Sequence, residues 1–317
     1  MNRESSGGSV NRVGAVVVTF HPDEKTITTV VAKLIRQVDR VVLVDNGSDA
    51  SRMEQLLRCI AAEKLSITAL DENRGIAAAH NIGIMMLLER GLDYILLLDQ
   101  DSIPADDMVA LLVDKADELV MRGIKVAAVG PTLSDSRTTI IARPASRKRR
   151  GQKSPGSQEN AVEGVFETDF LISSGSLLSR EAFHEIGPMN EGYFIDHVDT
   201  EWCYRALFHG WRLFQVVEAK MMHALGDDIV HIWFGRRRQV AIHSPLRNYY
   251  ELRNTVLMLR NAPISNAHRR FHLVRIIQFL VFFGFAVAPR RLRLKMMLIG
   301  IWHGLSGRAG QFDGINK

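Results

Sequence analysis

DYILLLDQDS, residues 93–102, is the stretch on which the reading of this chain turns. Its first part is a continuous apolar run, the mark of a strand covered on both faces. Its end carries two carboxylates, Asp99 and Asp101, separated by Gln100. In an extended chain, side chains two residues apart point to the same side. Adjacent carboxylates repel, and a divalent cation is the simplest group that keeps both ionised. Mg²⁺ takes one or two protein carboxylates and fills its shell with phosphate oxygens and water. The pair therefore points to a metal–diphosphate site. A solvated turn leading into a helix would place the same residues together with no ligand, so the pair needs support from the rest of the chain.

Outward from this stretch, short apolar runs alternate with helical spacing. Strand patterns cover residues 13–20 (VGAVVVTF), 40–45 (RVVLVD), 65–70 and 125–129. Helical patterns cover 27–38, 53–62, 75–90 with Gly91 as a stop signal, and 106–122. This alternation predicts an α/β protein with a mostly parallel sheet flanked by helices. Such sheets bind ligands beyond the carboxyl ends of their strands, which directs attention to Thr19, Asp45, residues 71–75 and Asp99 to Asp101. The donor-side half spans 12–132. Residues 133–163, rich in Ser, Arg, Lys, Gly and Pro, read as a loop. A second half spans 164–240, with a helix expected from Thr200 to His209 and a strand over 211–217. From 241 to 317 the pattern is mainly helical, with helices over 246–260, 266–288 and 292–305.

Hydrophobic residues make up 46% and charged residues 24%, which excludes collagen-like, coiled-coil and wholly disordered chains. The two cysteines, Cys59 and Cys203, cannot build a disulfide framework and fit a reducing compartment. The polar beginning, MNRESSGGSV, predicts no signal peptide. Basic runs at 147–150 and 235–239 are not interleaved with aromatics, which argues against nucleic acid. The apolar stretch 276–288 (IIQFLVFFGFAVA) is shorter than the roughly 20 residues a bilayer requires. It is followed by Arg290, Arg291, Arg293 and Lys295. The segment reads either as a helix at an anionic membrane surface or as one packed against protein, a second copy included.

VVVTF, LVDNGS, DENRGIAAAHNIGI and LLLDQDS occur in this order, followed by FLISSGSLLSREAFHEIGPMNEGYFIDHVDTEWCYRALFHGW (170–211), SPLRNYYELRN (244–254) and WHGLSGRAGQF. In this the chain resembles the glycosyltransferase family 2 enzymes of GT-A fold, and in particular their bacterial rhamnosyltransferase branch. The resemblance implies an inverting, metal-dependent transferase that uses a nucleotide sugar, dTDP-L-rhamnose in that branch. Related branches use galactofuranose, galactose or glucose. It further implies a lipid-linked saccharide acceptor at the inner face of the cytoplasmic membrane, in surface-polysaccharide biosynthesis.

By the same resemblance, Thr19, Phe20, Asp45, Asn73, Arg74, Gly75, Asn81, Asp99, Gln100 and Asp101 are expected around the nucleotide sugar. Asp45 would accept from the base and Arg74 would face a phosphate, while Gly75 would let backbone approach the nucleotide. Asp101 would be the leading ligand of Mg²⁺ or Mn²⁺, with His223 beside it, and Asp99 would hold the ribose or support the metal through water. Asp199 would be the general base, with Glu201 and Asp196 as rivals, and would also cap the helix from Thr200. Ser174, Gly175, Glu201, Trp202, Arg247, Tyr250 and Arg253 would lie near the donor sugar or acceptor, with phosphate contact open to either arginine. A nucleotidyltransferase is disfavoured because VVVTFHPDEKT lacks a glycine-rich basic loop. A non-catalytic binding module is disfavoured by the joint presence of Asp99, Asp101, Asp199 and His223.

Overall fold

The computed structural model describes residues 11–49, 63–134, 162–223, 228–233 and 237–314. The helix expected at 53–62 and most of the loop expected at 133–163 lie outside the described residues. Strand β1 (Val13–Thr19) is buried along its whole length. It pairs in parallel with β2 (Arg40–Asp45) on one side and β4 (Tyr94–Asp99) on the other, and β2 pairs in parallel with β3 (Leu65–Ala69).

Alternation along β1 splits its side chains between two cores. Ala15 and Val17 pack with α1 (Glu24–Leu34) and α3 (Met108–Met121). Val16 and Val18 pack on the other face with α2 (Ile76–Leu88), α4 (Arg180–Ile186) and α5 (Val198–Phe208). Each fully buried aliphatic side chain contributes about 1.5–3 kcal/mol. The low helix propensity of Gly83 within α2 has a packing reason, because a Cβ there would come within 2.4 Å of Val16.

The sheet order is β3-β2-β1-β4-β8-β6-β9-β5, with β7 (Val165–Thr168) also on β9. Strands β6 (Val126–Ser134) and β9 (Arg212–Met222) are parallel to each other. The short β8 (Leu177–Ser179) runs antiparallel to both β4 and β6 and joins the two parallel blocks. The sheet is therefore mixed, with its parallel character concentrated in these blocks. β9 runs beyond the strand expected at 211–217, and its end pairs with β5 (Ile103–Pro104).

A hairpin of β10 (Asp228–Trp233) and β11 (Arg237–Ile242) precedes the C-terminal helices. Ser244 caps α6 (Pro245–Asn261) by accepting from the Arg247 amide, and Pro245 occupies the first turn, where its missing N–H costs nothing. Leu257 and Met258 of α6 belong to the second core, so packing is continuous across residue 240. The helix expected over 266–288 ends earlier: α7 (Asn266–Val281) gives way to a π-helical turn (Phe282–Ala286), and α8 (Arg290–Ser306) follows. Among the described residues, no helix is long and apolar enough to cross a membrane.

Candidate active site

Register places Thr19, Asp45 and Asp99 at one end of the sheet, because Thr19 lies opposite Asp45 and Val18 opposite Asp99. The chain then turns, and the pairing of Ile103 with Met222 brings Asp101 beside His223. Ligand atoms of Asp99, Asp101 and His223 all lie within 4.8 Å of one another. His223 Nδ1 is 2.8 Å from Ser102 Oγ, and Ser102 Oγ is 2.5 Å from Ser174 Oγ. Nδ1 also lies 3.6 Å from Asp101 Oδ1, and Nε2 lies 4.0 Å from Asp99 Oδ2. Two carboxylates and one imidazole suit Mg²⁺ or Mn²⁺. Partial burial, with the charges of Asp101 and Asp199, pushes Asp99 up to about 6 against the pull of His223 and Arg247. A cation would relieve that repulsion.

Asp199 lies in the first turn of α5, not at its cap, because the helix starts at Val198 with His197 as the cap residue. Its Oδ2 accepts from the Ser173 amide at 3.1 Å and its Oδ1 from the Thr200 amide at 2.6 Å. Burial raises its pKa, against the Thr200 and Ser173 amides and the charge of His197, which lower it. The next residue, Ser174, accepts from the Asp99 amide at 3.1 Å, and Gly175 N–H donates to Leu97 O at 2.7 Å. One loop thus links the Asp199 carboxylate to the Asp99–Asp101–His223 group. The rival carboxylates are already paired. Arg205 Nε donates to Glu201 at 2.8 Å, and Arg247 grips Asp196 through two bonds of 2.8 and 2.5 Å.

Comparison with known proteins decides the chemistry class. The family model of glycosyl transferase family 2 matches residues 15–187. The chain belongs to glycosyl transferase family 2. This transferase is 35% identical over 252 residues to the dTDP-rhamnosyl transferase RfbF of Shigella flexneri, covering 79% of this chain and 80% of that one. Its fold resembles S. aureus TarS 1–349 in complex with UDP-GlcNAc, with a TM-score of 0.60 at 14% identity over 94% of this chain and 81% of that one. It also resembles GalNAc-T7 with UDP, GalNAc and Mn²⁺, with a TM-score of 0.56 at 14% identity, covering 94% of this chain and 57% of that one. These likenesses confirm the GT-A-like architecture read from the motifs.

Other residues expected at the site of this family 2 enzyme divide into two groups. Thr19 Oγ1 donates to Asp45 Oδ1 at 2.9 Å, and Asp45 also holds the Ser48 amide and hydroxyl at 2.8 and 2.6 Å. Gln100 accepts from the Phe20 amide at 2.8 Å and so ties the ends of β1 and β4 together. Asn46 donates to Asn73 at 3.0 Å and accepts from the Arg74 amide at 2.9 Å, fixing the turn that presents Arg74. Arg74 is half-exposed, 3.8 Å from Glu191.

The second group has other tasks. A Cβ on Gly75, which has φ +86°, would lie 2.5 Å from Phe194 O, so the close approach it permits is to protein backbone rather than to a nucleotide. Asn81 is buried and its amide is taken up by Met189 N, Met189 O and Glu191. Trp202 is 2% exposed, donates to Gly187 O and packs against Phe183, which makes it core and not a sugar platform. Glu201 is buried in its pair with Arg205. Tyr250 stacks on Phe194 and accepts from the Phe312 amide. Arg253 is 1% exposed and bonds Tyr193 O, Gly192 O, Gly310 O and Asn254, so it cannot reach a phosphate. Arg247 is held by Asp196, and its charge is felt at Asp99.

The sequence reading missed Ser102, Ser173, Asn46 and His197. Ser102 lies inside the quoted LLLDQDS motif, and a short polar side chain directly after the carboxylate pair was its signal. The other three act through contacts more than 25 residues away in sequence, which spacing alone does not reveal.

Proposed function

We propose that this glycosyltransferase transfers L-rhamnose from dTDP-L-rhamnose, with inversion, to a lipid-linked saccharide destined for a bacterial surface polysaccharide. The observation that carries the chemistry is the 173–175 loop, which holds the Asp199 carboxylate on one side and the Asp99 turn on the other. The donor assignment rests on the likeness to the dTDP-rhamnosyl transferase RfbF.

In the proposed reaction the acceptor hydroxyl attacks the anomeric carbon from the face opposite the diphosphate. Its oxygen forms the new glycosidic bond, its proton passes to an Asp199 carboxylate oxygen, and the electron pair of the broken C–O bond leaves with dTDP. A single displacement of this kind inverts the anomeric centre and requires no nucleophilic carboxylate. A divalent cation held by Asp99, Asp101 and His223 would stabilise charge on the departing diphosphate. Asp45 would accept from the base, and Arg74 would add positive charge at the phosphate side.

A donor panel tests this reading. Purified protein with Mg²⁺ or Mn²⁺ and a lipid-linked acceptor pool is expected to consume dTDP-L-rhamnose in preference to UDP-galactofuranose, UDP-galactose and UDP-glucose, and to stop when the cation is chelated. Preference for a UDP-sugar would overturn the donor assignment.

Meeting a lipid-linked acceptor calls for a surface that lies against the membrane, and the C-terminal helices offer one. Phe283 packs inward with Ile242, Leu252 and Met297, but Ile277, Val281 and Phe285 stand exposed, Phe285 at 73%. Arg290, Arg291 and Lys295 are exposed nearby in sequence. Arg293, expected with them at the lipid, instead turns inward and donates to His243 O and Asn248 at 2.7 and 2.6 Å. Three basic side chains near an anionic surface contribute about 1 kcal/mol each. Flotation with anionic liposomes should therefore exceed flotation with neutral ones and fall when Arg290, Arg291 and Lys295 become Gln. Equal flotation in all cases, or none, would leave these helices a packing or dimer role.

A further inference from the structure

The segment that delivers Asp199 to the site is conformationally unusual. Phe194, Asp196 and His197 all have positive φ, at 63°, 66° and 60°, and none is glycine. Such backbone persists only where its surroundings over-determine it. The surroundings here are α6. Asn254 Nδ2 donates to the carbonyls of Tyr193, Ile195 and Asp196 at 2.9, 2.7 and 2.9 Å. Arg247 grips the Asp196 carboxylate. Thr255 and Glu251 take the His197 ring, with Nε2 2.9 Å from Thr255 Oγ1 and 3.3 Å from Glu251 Oε1.

The proton on that ring can be placed. Thr255 Oγ1 donates its own hydrogen to Glu251 O at 2.7 Å, so towards His197 it can only accept. His197 Nε2 therefore carries a hydrogen and points it at Thr255 and at the Glu251 carboxylate. The ring is 7% exposed and stands two residues before Asp199, at the start of the same helix.

We propose that His197, clamped by Glu251 and Thr255 of α6, is a positioning residue that fixes the entry of α5 and keeps a positive charge beside Asp199. The proposal rests on the reading of Asp199 as general base and extends the catalytic centre past residue 240, into the C-terminal helices. The charges facing His197 agree with it. From its own turn come Asp196 and Asp199, from α6 Glu251, and from α7 Arg275 and His272. Burial opposes the imidazolium, but Glu251's charge and hydrogen bond outweigh it and, with Asp196, hold His197 above its ordinary value. His272 is pushed down to about 3 by burial and by the charges of His197 and Arg275, so it stays neutral. Arg275 also bonds Glu251, at 3.1 Å, and fixes the clamp from the far side.

A positive neighbour favours ionised Asp199, and removing it raises the pKa of the base. The acid limb of the kcat/KM profile should then move to higher pH. The variants are His197→Asn, which tolerates positive φ but carries no charge, and Glu251→Gln, which keeps the volume and loses the anchor. Both are assayed with Asp199→Asn for release of dTDP from dTDP-L-rhamnose with Mg²⁺ and water as acceptor, and for Mg²⁺-dependent dTDP affinity. The expected result is a shift of the acid limb by roughly one unit in both clamp variants. kcat should fall while dTDP affinity stays as in wild type. An unmoved acid limb with Asp199→Asn inactive overturns the His197 proposal alone. So does a parallel loss of kcat and dTDP affinity with an unmoved limb, the mark of a merely structural role. Near-normal turnover by Asp199→Asn overturns the base assignment and this proposal with it.

Discussion

Asp199→Asn should lower turnover by roughly 10²–10⁴-fold, the usual scale for loss of a general base, while donor binding survives. The substitution is nearly isosteric, although its one amide oxygen can accept from only one of the Ser173 and Thr200 amides, which now hold different oxygens of the carboxylate. What disappears is the carboxylate proposed to take the proton of the acceptor. Glu201→Gln serves as the contrast. Glu201 is buried against Arg205, with its second oxygen unpartnered among the described residues, so the change should act on stability more than on the pH profile. Initial rates at saturating donor and thermal melts of both variants separate the two effects. Near-normal turnover by Asp199→Asn beside a Glu201→Gln variant that folds and is inactive would show that the wrong carboxylate had been chosen.

The parts of this molecule that were legible in the sequence are those written in local periodicity. The buried runs of β1, β2 and β4 and their terminal Thr19, Asp45 and Asp99 follow from apolar continuity and from where it stops. Family membership follows from the order of several motifs, each of modest specificity alone. Less legible were elements whose stability is not local. β8 has three residues and β5 has two, too few for any period, yet β8 joins the parallel blocks and β5 sets His223 against Asp101. Polar residues within helices were the hardest to assign. Asn81, Arg253 and Tyr250 sit in stretches that resemble a ligand site, but their hydrogen bonds go to distant backbone. The bonds of Asn81 and Arg253 hold the loop from Met189 to His197 that leads to Asp199. Arg293 shows the converse error, since a basic residue within an exposed-looking run turned out to be buried.

Asp101→Ala is expected to remove the proposed cation site at Asp99, Asp101 and His223. Asp101 is exposed, contributes no backbone element and lies 3.6 Å from His223, so its loss should leave the fold intact. Losing one carboxylate ligand from a group of three should forfeit several kcal/mol of leaving-group stabilisation, a fall of roughly 10²–10³-fold or more in turnover. The most direct measurement is a calorimetric titration of dTDP into wild type and Asp101→Ala, each with Mn²⁺ and with chelator. Wild type should bind dTDP tightly only with Mn²⁺, and the variant should bind weakly with or without it. Equal Mn²⁺-dependent affinity in the two proteins, or affinity indifferent to Mn²⁺ in wild type, would contradict the account.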